Sequence, residues 1–118
     1  MGVIMIELLQ KLEKFLQIKS PYGVFFWFED QADINEPVAS FENDLVCMEF
    51  RRTDTEENLD VRFFNPYDPD NFVAYTWDVI KGDFNSYIEE GTPVANAAAM
   101  MESIRYVGSN VLDLINRP

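Results

Sequence analysis

The segments that decide the fold are LVCMEFRRT (45–53), LDVRFFN (59–65) and FVAYTWDVI (72–80). In each of them, three or four large apolar or aromatic residues recur at every second position. This period of two is typical of half-buried strands. The connecting segments TDTEEN (53–58) and PYDPD (66–70) are polar and rich in turn-forming residues. The sequence therefore predicts an antiparallel meander with one apolar face.

The register of the first hairpin of this meander follows from its inner face. Pairing the apolar residues places Phe50 opposite Val61, whereas a one-residue slip would turn the whole apolar set towards solvent. The same register sets Glu49 opposite Arg62 on the outer face. An opposite-charge pair of this kind contributes roughly 0.2–1 kcal/mol, so the inner pairs fix the register and the outer pair agrees with it.

Two segments before the meander predict regular structure. Residues 3–19 have the apolar spacing of an amphipathic helix, which ends at Ser20-Pro21. Residues 22–29 predict a strand that is apolar on both faces and therefore needs a cover on both. The sequence also allows a further short strand over 38–41 but does not decide whether it forms.

The segment after the meander predicts helices. Asp83 is expected to cap a short helical turn that ends at Gly91. Thr92, with Pro93 at the first helical position, marks the start of a long helix that runs to about Asn116.

These elements predict an α+β fold. We expect a two-layer sandwich, in which an antiparallel four- or five-stranded meander sheet is packed by an N-terminal helix and a long C-terminal helix. Residues 1–118 show no internal repeat and no break in composition, and they are expected to form a single acidic domain.

The charge of the chain is its most unusual property. It has 21 acidic and 9 basic residues, a net charge of −12 and a pI near 4.1. Solubility alone needs much less than this. Such a field repels nucleic acid and anionic membranes and attracts basic proteins. We therefore expect a basic protein partner, and neither direct nucleic-acid binding nor membrane binding.

The composition also argues against common catalytic sites. The chain contains no histidine, which removes the usual general base and the usual zinc ligand. Its one cysteine, Cys47, cannot form an internal disulfide, and nothing resembles a secretory signal, so we expect a cytoplasmic protein. The alternating acids from Asp54 lack the glycine of a calcium loop. We expect no catalytic residue, metal or cofactor.

Acidic side chains concentrated in loops are the first candidate binding surface, because charge complementarity raises association rates and selects partners. The candidates are Glu29, Asp30, Asp33, Glu36, Glu42, Asp44, Asp54, Glu56 and Glu57. The basic cluster of Arg51, Arg52 and Arg62 is explained by pairing within the sheet with Glu49 and Asp60.

A second candidate surface is apolar. The strand over 22–29 and the broad stripe of the last helix present more apolar surface than one small sheet and one helix cover. The surplus residues, which would bury well in a symmetric homodimer, are Phe25, Trp27, Met100, Val107 and Leu114.

Size, charge and the lack of catalytic groups resemble, at the level of a class, the small acidic bacterial and phage proteins that act as inhibitors, immunity proteins or nucleic-acid mimics. The resemblance implies a non-enzymatic, stoichiometric module that docks acidic loops onto a basic partner, such as a nuclease or DNA-handling enzyme. A small acidic dimeric secretion-type chaperone that binds a client segment is the alternative, favoured by exposed aromatic residues. A small enzyme using paired carboxylates is a third class, and it would need a pocket with two buried acids.

Overall fold

The computed structural model describes residues 3–28, 37–55, 57–78 and 81–102, with the side chains of residues 3–8 and 19 left aside. In chain order its elements are α1 (Val3–Lys19), β1 (Val24–Trp27), β2 (Pro37–Glu42), β3 (Cys47–Arg52), β4 (Asn58–Asn65), β5 (Asp68–Asp78) and β6 (Asp83–Phe84). A second helix, α2, begins at residue 93 and is described to residue 102.

The six strands form one open antiparallel sheet in which each strand pairs with the next along the chain. The α+β class and the meander are therefore confirmed, but the predicted four or five strands are too few. Residues 38–41, for which the sequence allows a further short strand, lie within β2, and the sixth strand, β6, is a two-residue element.

The predicted register is confirmed. Phe50 lies opposite Val61 and Glu49 opposite Arg62, and the same face continues from Val61 to Tyr75 of β5. Apolar side chains of three adjacent strands thus share one face, as the period of two requires. Two ion pairs, however, each join residues of a single strand: Arg51 with Glu49 at 3.4 Å and Arg62 with Asp60 at 4.0 Å.

The core lies between this face of the sheet and side chains of both helices. Each large apolar side chain that is fully buried stabilises the fold by roughly 1.5–3 kcal/mol relative to its exposed state. Helix α1 contributes Leu9, Leu12, Phe15 and Leu16, and α2 contributes Ala97, Ala98 and Met101. The sheet contributes, among others, Phe25, Phe41, Met48, Phe50, Leu59, Val61, Phe63, Trp77 and Phe84.

Helix α2 starts where the sequence predicts. The Thr92 hydroxyl accepts a hydrogen bond from the Ala95 backbone N–H at 3.0 Å, and the Thr92 carbonyl accepts one from Asn96 at 3.1 Å. These are the bonds that an N-cap residue makes, with proline at the first helical position. The predicted course of this helix beyond residue 102 lies outside the described residues.

The prediction of a helical turn capped by Asp83 is wrong. Asp83 and Phe84 form β6 against the end of β5, and Phe84 is buried with its ring edge-on to Trp77, the two ring centroids being 4.9 Å apart. Burying an aromatic ring in the core outweighs a local capping preference, which contributes only about 1 kcal/mol.

The meander gives the sheet two distinct ends. Successive hairpins reverse the chain, so the turns at 43–46 and 66–67 lie at one end, which we call the Asp44 end. The connection from β3 to β4, which includes Asp54, and the turn at 81–82 before β6 lie at the opposite end, which we call the Asp54 end. β3 has six residues between them, so the two ends are about 20 Å apart.

No helix among the described residues is long and apolar enough to cross a membrane.

Candidate functional site

Four of the nine predicted acidic residues fall within the described structure. Glu42, Asp44, Asp54 and Glu57 are all exposed. The remaining candidates lie outside the described residues: Glu29, Asp30, Asp33, Glu36 and Glu56.

The structure divides these four acids into two separate groups. Glu42 and Asp44 lie at the Asp44 end, whereas Asp54 and Glu57 lie at the Asp54 end. The separation of about 20 Å exceeds the screening length of about 8 Å at physiological ionic strength. One compact docking surface can therefore use one pair or the other, and the acids predicted from sequence as one set do not form a single site.

A side-chain-locked turn shapes the Asp44 end. The Asn43 carboxamide oxygen accepts hydrogen bonds from the backbone N–H groups of Leu45 at 2.8 Å and Val46 at 3.0 Å. The Asn43 N–H in turn donates to the Val46 carbonyl at 3.1 Å. Asparagine is favoured in such turns because its side chain satisfies nearby backbone groups. The turn projects Asp44 and Leu45 outward, and Leu45 is 65% exposed.

The neighbouring turn adds acids that the sequence reasoning did not select. The Asn65 carboxamide oxygen accepts a hydrogen bond from the Tyr67 N–H at 2.9 Å, and the Tyr67 ring is 86% exposed. Asp68 and Asp70 follow at the start of β5 and are exposed. Their signal was available in the sequence, because hairpin turns of a meander alternate between two ends and so bring every second turn together.

Acidic and basic side chains differ in their pairing. Four carboxylates at the Asp44 end make no ion pair or side-chain hydrogen bond among the described residues: Glu42, Asp44, Asp68 and Asp70. Arg51 and Arg62, by contrast, each face a carboxylate on their own strand. The predicted pairing of the arginine cluster within the sheet is thus confirmed for these two residues. The four carboxylates at the Asp44 end, in contrast, are not neutralised by a described cation.

An apolar groove lies beside these acids. It has a volume of about 300 Å³ and runs between the turn at 43–46, strands β4 and β5 and the start of α2. Phe72 and Val73 on its wall are 43% and 45% exposed. The Arg62 guanidinium lies 4.5 Å from the centre of the Phe72 ring and supports it from the outer face of the sheet. The Asp44 end therefore combines open carboxylates with exposed apolar surface.

The apolar surface predicted for β1 needs a correction. Phe25 is buried in the core, with its ring stacked on Phe50 at 5.8 Å between centroids, so it is not exposed. Trp27 is partly exposed, and its indole N–H donates to the Glu13 carboxylate at 2.6 Å. Because both faces of this segment are apolar, the pattern alone could not decide which one faces the core. The exposed residues of the strand's outer face are Val24, Phe26 and Phe28.

The other predicted interface residues are on or near α2. Met100 is half-buried and packs against the core. Val107 and Leu114 lie outside the described residues.

Cys47 is a buried thiol at the start of β3. Its burial, together with the nearby Glu42 and Glu49 carboxylates, raises its pKa to about 12. A thiol with this pKa is protonated at neutral pH and is a weak nucleophile.

A second cavity of about 320 Å³ lies between the segment after β6 and α2, with Glu90 and Glu102 in its wall. The Glu102 carboxylate accepts a hydrogen bond from the Phe84 N–H at 3.3 Å, which ties α2 to β6. Within the described ranges, no three cysteine, aspartate or glutamate side chains converge as metal ligands would.

Comparison with protein-family models, with curated proteins and with solved structures gives no match to this chain.

Proposed function

We propose that this protein is a non-enzymatic, stoichiometric binding module that docks the Asp44 end onto a basic surface of a partner protein. A nuclease or a DNA-handling enzyme, whose active site is built to receive phosphate, has the required surface. Bound there, the module would act as an inhibitor, an immunity protein or a nucleic-acid mimic.

One observation carries the proposal: at one end of the sheet, exposed carboxylates lie beside exposed apolar side chains. Glu42, Asp44, Asp68 and Asp70 supply negative charge, and Leu45 lies among them. Interfaces between proteins commonly have an apolar centre and a polar rim. A strongly negative field additionally speeds the approach of a basic partner.

The test is a measurement of association kinetics. The partner is first captured from an extract of the native host, and its association with the wild-type protein is then followed at increasing ionic strength. Raising the ionic strength from about 0.15 M to about 1 M shortens the screening length from about 8 Å to about 3 Å. We expect the association rate constant to fall at least ~10-fold over this range, because steering by exposed charge is screened.

The dissociation rate serves as the internal control, since it should change much less than the association rate. An association rate that does not respond to salt would contradict docking by acidic residues. A captured protein that has no basic surface would contradict it as well.

A specific observation supports the secretion-type chaperone as a second candidate. Val24, Phe26 and Phe28 form an exposed apolar row on the outer face of β1, and a chaperone holds an unfolded client segment on such a surface. The two functions differ in the state of the partner that is bound. Binding of an unfolded client but not of the folded protein would favour the chaperone, and the reverse preference would favour the inhibitor.

A further inference from the structure

Strand β5 (Asp68–Asp78) is long, and most of one of its two sides is free of a neighbouring strand among the described residues. On one side β5 pairs with β4 from Phe72 to Asp78 without interruption. On the other side β6 pairs only with Trp77 and Asp78. Within the part of the chain that the structure describes, β5 residues before Thr76 have no strand on this second side, and residues 68–74 are exposed.

The geometry of the β5–β6 pairing identifies the backbone groups that point to the free side. The Thr76 carbonyl accepts a hydrogen bond from the Asn85 N–H at 2.9 Å, so Thr76 presents its backbone groups towards β6. Successive residues of a strand alternate in this direction. Ala74 and Phe72 therefore present their N–H and carbonyl groups to the free side, while Val73 and Tyr75 present theirs to β4.

This edge lacks the usual protection against pairing. Sheet edges that stay unpaired in soluble proteins commonly carry charged side chains or proline. In β5, Asp68, Pro69 and Asp70 protect the beginning of the strand, but NFVAY (71–75) contains neither a charge nor a proline. The exposed edge is therefore suited to accept another strand.

The apolar groove adjoins the same edge. Val73 lines the groove, and so does Val94 of α2. A strand that paired with β5 would place alternate side chains on the face that carries Val73. Those side chains would point towards the groove, where an aliphatic residue finds apolar walls.

We propose that the partner contributes an extended, basic and aliphatic segment that adds to the sheet as a strand beside β5. The backbone groups of Phe72 and Ala74 form hydrogen bonds with the main chain of this segment. One of its aliphatic side chains enters the groove, and its cationic residues lie close to Asp68 and Asp70. Main-chain bonds give such a complex its affinity, and alternate side-chain pockets give it specificity. The inference rests on the proposed function, because it describes how the same basic partner is held.

The charge of the chain argues for a foreign segment rather than a second copy. Two copies paired through β5 would bring two net charges of −12 together, with Asp68 and Asp70 of both chains beside the shared edge. Like charges at close range oppose association. A lysine-containing segment would instead be attracted by the carboxylates of the same residues.

The experiment measures amide hydrogen exchange in the full chain, with and without a probe peptide. The probe is a blocked heptapeptide of alternating lysine and valine, used at physiological ionic strength. At saturation we expect exchange at the Phe72 and Ala74 amides to slow by at least ~10-fold. The Val73 and Tyr75 amides should change little, because they already bond to β4.

Two controls separate strand addition from simple attraction of charge. The same peptide with N-methyl groups on its pairing amides keeps its charge and loses its donors, and it should bind at least ~10-fold more weakly. In the protein, Ala74→Pro removes an N–H that faces the free side and leaves the bonds to β4 intact. It should weaken binding by a similar factor, whereas Ala74→Val, which keeps the N–H, should not.

The outcomes distinguish the two proposals. Salt-dependent binding without protection at Phe72 and Ala74 would overturn strand addition and leave the basic-partner proposal standing. No saturable binding up to about 1 mM would also overturn it, while the salt dependence of the captured partner still decides the function separately. Protection at these amides that grows with protein concentration, without peptide, would assign the edge to a second copy and overturn the foreign segment.

Discussion

Replacing Trp77 with alanine should destabilise the fold by about 3–5 kcal/mol, a large part of the 5–15 kcal/mol by which an ordinary domain is stable. Trp77 is 1% exposed and lies opposite Leu59 across the β4–β5 ladder. Its ring also packs edge-on against Phe84. The substitution removes these contacts and leaves a cavity in the core.

Trp77→Phe is the matched control. The indole Nε1–H of Trp77 is buried and has no hydrogen-bond partner among the described residues. Phenylalanine keeps an aromatic ring at this position. It also removes the unsatisfied donor, and this offsets part of the stability that is lost with the smaller side chain. We expect a loss below about 1.5 kcal/mol. Chemical denaturation followed by circular dichroism measures both variants, and an unchanged midpoint for Trp77→Ala would show that Trp77 is not a core residue.

Gly23→Ala should cost about 1–3 kcal/mol, because it overpacks a full core. A Cβ atom added at Gly23 would overlap the ring of Phe41. Phe41 is completely buried between β1 and β3, so its ring has no free space into which to move. The close approach of the chain entering β1 to this ring therefore requires glycine.

Gly91→Ala provides the comparison for this variant. Nothing lies within 4 Å of a Cβ atom added at Gly91, but its φ of +81° falls in the left-handed region. Its cost is backbone strain alone, of the order of 1 kcal/mol. Chemical denaturation measures the stability of both glycine variants. A Gly23→Ala protein as stable as the wild type would show that Phe41 is less tightly packed than the structure indicates.

The sequence was most informative where local pattern and tertiary packing agree. The register of Phe50 and Val61 could be predicted because only one pairing buries both strands' apolar residues. The start of α2 could be predicted because Thr92 and Pro93 are local signals. The prediction from Asp83 was wrong because helix capping contributes less free energy than the burial of Phe84. The position of Phe84 depends on its packing against Trp77 and not on a local signal.

Other features depend on what covers each face. Val73 is on the predicted face, opposite Phe63, but no described strand or helix covers it fully, and Val73 is almost half exposed. The alternation of residues shows which side chains share a face of the strand, but it does not show which element covers that face. For the same reason the pattern of β1 could not show that Phe25 is buried and Phe26 exposed.

The arrangement of the acidic residues in the fold could not be predicted from the composition. The excess of carboxylates is visible in the composition, but Glu42 and Asp54 were grouped although they lie at opposite ends of the sheet. Applying the alternation of hairpin turns would have separated them and joined Asp68 to Asp44. Strand β5 begins earlier than predicted, at Asp68, because Asp-Pro-Asp-Asn is a typical turn sequence and conceals the extended backbone.

We propose that the Asp44 end, and not the net charge as such, binds the basic partner. Two double variants test it directly, Glu42→Lys with Asp44→Lys and Asp54→Lys with Glu57→Lys. Each changes two acids to lysine, a change of +4 that takes the net charge from −12 to −8. They differ only in the end of the sheet that is altered, about 20 Å apart.

The deciding measurement is the association rate constant of each folded variant with the captured partner at physiological ionic strength. We predict that the Asp44-end variant associates at least ~10-fold more slowly than the wild type, and the Asp54-end variant no more than about 3-fold more slowly, because screening confines each charge to its own end. Equal slowing of the two variants, or stronger slowing of the Asp54-end variant, would contradict the claim.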